Sequence, residues 1–270
     1  MRFLRLVQSE LIKSFKILRA YWIEIVFWVL SPLLWVIPLV FQGYALVGGL
    51  KSKSFANLSG TEAFIPFVLI GAIVSTYMFS SVWAMGNSLR EENYFGTLEF
   101  IMTTPTPPWW ILFAKAIFNA IISTIYVVAQ IAICILIFGV RIALFKFLPA
   151  LLFILLLVAG LYGIGLMAAG LTLLVKESHG ILHALESVMY LFSPIRYPVR
   201  IHPVTYWVSR FIPLTYALIA LRGIIMDIPF NFWKIVGLLL IVDSVFIPLG
   251  FVVFNRTYNT TRLKGTLGHY

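Results

Sequence analysis

Long uncharged runs broken by short polar stretches set the pattern of this chain. Ile25–Leu50, Ala63–Leu89, Ala116–Val140 and Phe147–Val175 each contain no Asp, Glu, Lys or Arg. Each exceeds the ~20 apolar residues that a membrane-spanning helix needs. Two more runs carry one acid apiece: Gly180–Ile195 holds Glu186, and Ile235–Phe254 holds Asp243. Such segments cross a bilayer only if the acid faces protein or water. A different periodicity precedes them. Over residues 2–20, Leu4, Val7, Leu11, Phe15 and Leu18 recur at helical spacing, and Arg2, Arg5, Ser9, Lys13 and Lys16 interleave with them. This predicts an amphipathic helix with a basic face, lying in the headgroup layer.

Residues 196–230 break the pattern. Tyr197, Tyr206, Trp207, Phe211 and Tyr216 have the character of an interfacial belt, and Pro198, Pro203 and Pro213 divide the backbone into short pieces. Tyr206–Met226 read as a seventh span would leave the basic C-terminal tail outside. A re-entrant hairpin dipping into the outer leaflet keeps both basic ends on one side. The prediction is therefore an all-α membrane protein with a single transmembrane domain over residues 1–270. It has six transmembrane helices, an N-terminal interfacial helix, an outer re-entrant hairpin before the last span and a tail over residues 255–270. In the fourth span, Ala159/Gly163 and Gly165/Ala169 are small-xxx-small pairs that predict close helix packing.

Composition agrees with lipid as the main solvent: 61% of the 270 residues are hydrophobic and 11% charged, against roughly a quarter charged in soluble domains. The net charge of +10 is concentrated at the termini and beside apolar runs. That distribution suits anionic headgroups rather than nucleic acid. Arg2, Arg5, Lys13, Lys16 and Arg19 at one end, and Arg256, Arg262 and Lys264 at the other, predict both termini in the cytoplasm of a multi-pass cell-membrane protein. The single cysteine, Cys134, allows no internal disulfide. The first apolar run starts too far in and is too long for a cleaved signal peptide.

The most informative polar stretch joins the second and third spans, on the side expected to be cytoplasmic. It reads Arg90-Glu91-Glu92-Asn93-Tyr94-Phe95-Gly96-Thr97-Leu98-Glu99-Phe100-Ile101-Met102-Thr103-Thr104-Pro105. Gly96 suits a sharp turn, and Thr97 suits the cap of a short helix running to about Thr103 and stopped by Pro105. The stretch resembles the ABC-2 type permease family, in which an acidic segment runs into G-T-x-E and then T-P. Glu91, Glu92, Gly96, Thr97, Glu99, Thr104 and Pro105 match in order, and Lys115 matches a commonly basic position. The N-terminal helix is similar to the family's connecting helix. Phe192-Ser193-Pro194, Tyr197-Pro198 and the stretch from Pro213 through Tyr216 to Arg222 are similar to its outer re-entrant segment, although many members have Ser-Gly before the first proline.

The resemblance implies a transport subunit rather than an enzyme, working with two copies of a separate ABC ATPase and a second copy of this chain or a close paralogue. Arg90–Pro105 would dock on the ATPase, its acids pairing with basic residues there. ATP and Mg would sit on that partner, with no cofactor on this chain, which lacks G-x-x-x-x-G-K-[ST]. The implied cargo is an amphipathic drug, lipid or lipid-linked molecule moved outward.

Asp243, Glu186 and Glu24 are the acids near or within spans. Asp243 suits buried pairing or dimer contacts, Glu186 local helix bonding, and Glu24 the interface. His179, His183 and Glu186 share a helical face, a spacing compatible with a metal or proton relay but better read as local hydrogen bonding. Asp243 and Glu186 also raise a proton-coupled secondary transporter as the alternative. That would be supported by two similar halves, which the sequence lacks. Residue sets of intramembrane proteases or lipid transferases are also absent.

Overall fold

The computed structural model describes residues 2–47, 53–94, 96–97, 107–138, 144–175 and 178–263, which form helices and turns without a strand. Helix α1 (Arg2–Ala20) is the predicted amphipathic helix, and a turn at Tyr21 separates it from α2 (Trp22–Val47). Residues 48–50 of the first expected span lie outside the described residues. Short α3 (Lys53–Ser59) leads to α4 (Phe64–Gly86), which continues after Asn87 into α5 (Ser88–Tyr94). Then come α6 (Pro108–Phe138), α7 (Phe147–Val175), α8 (Ser178–Phe192), α9 (Pro203–Ser209), α10 (Pro213–Met226) and α11 (Phe232–Leu263).

Four of these, α4, α6, α7 and α11, are long and apolar enough to cross a membrane, and a fifth would be added if the α9–α10 pair, bent by 97°, formed one span. The run carrying Glu186 gives less than expected. Helix α8 has 15 residues, about 22 Å at 1.5 Å per residue, short of a ~30 Å hydrocarbon core. At the other extreme, α11 extends to Leu263, so the first part of the expected tail is helix. No Gly or Pro interrupts residues 251–263, and nothing there stops propagation.

Helix α4 is the centre of the bundle. Most of its residues are buried, and α2, α6, α7, α8 and α10 all pack against it. Helix α7 packs most extensively on α11, and its small residues explain how. A Cβ on Gly163 would meet the Phe246 backbone at 2.8 Å, and one on Gly250 would meet the Gly163 backbone. Gly165 sits against Met85 of α4 in the same manner, at 2.8 Å. The small-xxx-small pattern thus serves two helix contacts, with α11 and with α4.

Contacts order the ends. Arg222 of α10 reaches Phe67 at one end of α4, whereas Met85 and Leu89 cluster with Leu112, Leu173 and Tyr258 at the other. His183 packs beside Trp83, while Ile195 lies over Gly71. Lys146, before α7, pairs with Asp227 after α10, and Thr172 near the end of α7 bonds the Gly86 carbonyl. Helices α4 and α7 therefore run towards the α5 end, and α8 runs away from it. Helix α1 and the C-terminal part of α11 lie at that same end.

Candidate functional site

The polar stretch singled out in the sequence is built on α5. Its helix stops because Gly96 adopts φ +67° and the Thr97 amide donates to the Glu92 carbonyl at 2.9 Å. This is a Schellman-type ending with glycine at the left-handed position. The Thr97 hydroxyl donates to the Glu92 carbonyl and carboxylate, and the helix it was expected to cap, running to about Thr103, lies outside the described residues. Gly96 turns Thr97 back over the end of α5. Glu99, Thr104 and Pro105 lie outside the described residues.

Glu92 is 1% exposed and sits among donors from three directions. Lys115 of α6 approaches its carboxylate at 2.9 Å, Lys13 of α1 donates to the same oxygen, and Thr97 donates to the other. Burial alone would push this carboxyl up. The charge of Lys115 and the hydrogen bonds from Lys13, Thr97 and Lys115 more than offset that and bring it down to about 2. Lys115 also donates to the Ser88 carbonyl at 2.8 Å and to Glu91 at 3.1 Å. Glu91, with 53% side-chain exposure, and exposed Arg90 remain on the outer surface of α5. The acids thus divide: Glu92 faces inward as a fastener of α1, α5 and α6, and Glu91 faces outward.

Two cavities flank this end and the middle of the bundle. The first, of about 300 Å³, is lined by residues of α2, α4 and α8, including Trp28, Phe79, Trp83, Glu186 and Tyr190, and by Arg196. The second, of about 470 Å³, lies between α1, α4 and α6 and reaches Glu92 and Lys115. They share Trp28 and Trp83, so this aromatic pair stands where one meets the other. The Trp83 indole N–H donates to Glu186 at 2.8 Å, which fixes the ring.

Glu186 and Asp243, paired in the proton-coupled alternative, occupy different interfaces. Glu186 faces α4, with His183 Nδ1 3.5 Å from its carboxylate. Asp243 is buried where α11 meets Gly160 of α7, and neither of its oxygens has a hydrogen-bond partner. His179 and His183 both lie against the Trp83 ring, at centroid distances of 5.6 and 4.9 Å. No group of three such residues able to hold a metal ion comes together among the described residues. The Glu24 side chain lies outside them.

At the opposite end Pro198 precedes a 3-10 turn at Val199–Ile201, and Pro213 opens α10 at its first position. The Tyr216 hydroxyl donates to the Arg210 carbonyl at 2.8 Å, holding the sharp bend between α9 and α10. Arg222 is 4% exposed. Its guanidinium donates to the Phe67 carbonyl at 2.8 Å, the Ile195 carbonyl at 3.0 Å and the Pro194 carbonyl. It therefore satisfies carbonyls of the irregular backbone after α8 and of the first turn of α4.

Lys13 as the partner of Glu92, and Arg196 and Trp83 as cavity residues, were not singled out from sequence. Only the basic periodicity of α1 hinted at the first. In comparison with known proteins, a family model described as ABC-2 type transporter matches residues 5–226. No curated protein matches the chain.

Proposed function

The chain belongs to the ABC-2 type transporter family, and from that premise we propose that it is the membrane subunit of an ATP-driven exporter. In this reading two such subunits form the pathway, and separate ATPase subunits bind ATP and Mg. The observation that carries it is α5. A short polar helix, closed by Gly96 and Thr97 and fastened by Glu92 to α1 and α6, presents Arg90 and Glu91 outward at one end of the most buried helix. A partner pressing on that surface would displace α4 directly.

The same reading takes α2, α4, α6, α7, α8 and α11 as six crossings, with α1 on the cytoplasmic surface and α9–α10 as the outer hairpin. Helix α2 has 26 residues, which supports a crossing by length. Short α8 reaches the outer side through the Arg222-bound turn. Helix α1 and the end of α11 then lie on the cytoplasmic side with α5. The proton-coupled alternative has less support, because Asp243 and Glu186 occupy different interfaces. The cargo is an amphipathic molecule moved outward.

The test is purification of this chain from its native host, identification of any ABC ATPase that comes with it, and reconstitution of the two. A charge-reversed pair at the outward surface, Arg90→Glu with Glu91→Lys, should lower co-purification of the ATPase and transport-coupled ATP hydrolysis at least several-fold, with the folded subunit retained. Unchanged assembly and hydrolysis would sink the proposal.

A further inference from the structure

We infer that the cavity between α2, α4 and α8 binds an anionic amphipathic molecule, its acid on Arg196 and its apolar body among Trp28, Phe79, Trp83 and Tyr190. This names the cargo class and rests on the transporter reading above. The cavity volume of about 300 Å³ is at the small end of ligand-sized pockets, and its mostly apolar wall with a few polar groups is the usual make-up of one.

Arg196 supplies the polar anchor. Its guanidinium lies 4.4 Å above the Tyr190 ring, which holds it by cation–π attraction without neutralising it. Its Nε is buried and has no hydrogen-bond partner, and among the described residues no carboxylate lies within ion-pair distance. A donor on a charged group left unbonded in a buried position is costly, and an anionic acceptor would satisfy it with a charge-assisted bond. The cavity's acid, Glu186, is occupied by the Trp83 indole at 2.8 Å. That leaves Arg196 for the ligand's acid, with the apolar part towards Trp28 and Trp83. Trp28 and Trp83 also line the second cavity, which reaches Glu91 and Glu92 at the α5 end.

Binding to the full chain alone, in phosphatidylcholine nanodiscs with empty nanodiscs subtracted, tests this with two fluorescent probes. They are 1-anilinonaphthalene-8-sulfonate and its neutral parent N-phenyl-1-naphthylamine, which differ by the sulfonate. The sulfonate probe should bind saturably and about tenfold tighter. Arg196→Gln should abolish that advantage without changing the neutral probe, and Phe79→Ala should weaken both. Equal affinities in the wild type, or an advantage that persists in Arg196→Gln, would overturn the inference. If Arg196→Gln does not purify as a monodisperse protein, Arg196→Lys decides. The ammonium keeps the charge but lacks Nε, so the advantage should shrink, and full retention would overturn the inference. Because no ATPase is present, selective binding alongside failed ATP-dependent transport would leave the site standing and remove the transport reading. The reverse pair of results would remove the site alone.

Discussion

Two buried charged residues do opposite kinds of work. Arg222 carries no carboxylate partner among the described residues and binds three main-chain carbonyls. Leucine there would leave those carbonyls without their donor, at about 1–3 kcal/mol each if no water enters. Arg222→Leu should lower the thermal midpoint in detergent markedly. Arg222→Lys should lower it less, because one ammonium cannot reproduce the fork. Glu92 is the titratable case. Its carboxyl is held at about 2, below its ordinary 4.5, so the ionised form is favoured by folding. The stabilisation is complete above pH about 4.5 and is lost as pH falls towards 2. A thermal midpoint that drops on acidification through this window in the wild type, and is already lower but flatter in Glu92→Gln, is the expected result. Neither arrangement was legible in the sequence beyond its residue types. Arg222 stood out as a charge in an apolar stretch and Glu92 as one of a run of acids, but their partners lie far along the chain or are backbone atoms with no signature.

Elements were more legible than their partners. Uncharged length marked α4, α6 and α7 because lipid forbids anything but a helix over such a run, and amphipathic spacing marked α1. The Glu186 run gave a helix of 15 residues, shorter than its composition suggested, with Pro194 and Pro198 following its end. Small residues on α7 predicted a tight contact without naming its partner, which depends on the mating surface of α11. Glycines on α11 provide a paired test. Gly250 abuts the α7 backbone, whereas a Cβ on Gly237 would meet nothing within 4 Å. Gly250→Leu should separate α11 from α7 and abolish a monodisperse protein on gel filtration. Gly237→Ala should be tolerated, and should stabilise the helix by up to about 1 kcal/mol through its better helix propensity.

For the whole molecule, α4 is the helix to which α2, α6, α7, α8 and α10 are all tied. One end is gripped by Arg222 from the hairpin, and the other passes through Asn87 into α5, whose Glu92 fastens α1 and α6. The segment matched to the family's coupling region and the segment matched to its outer hairpin are thus the two ends of one rod. A rod clamped at both ends behaves like a see-saw plank rather than a spring. In the proposed transport cycle a push on α5 would be carried along α4 to the turn that Arg222 holds, so the two ends of this subunit would move in step.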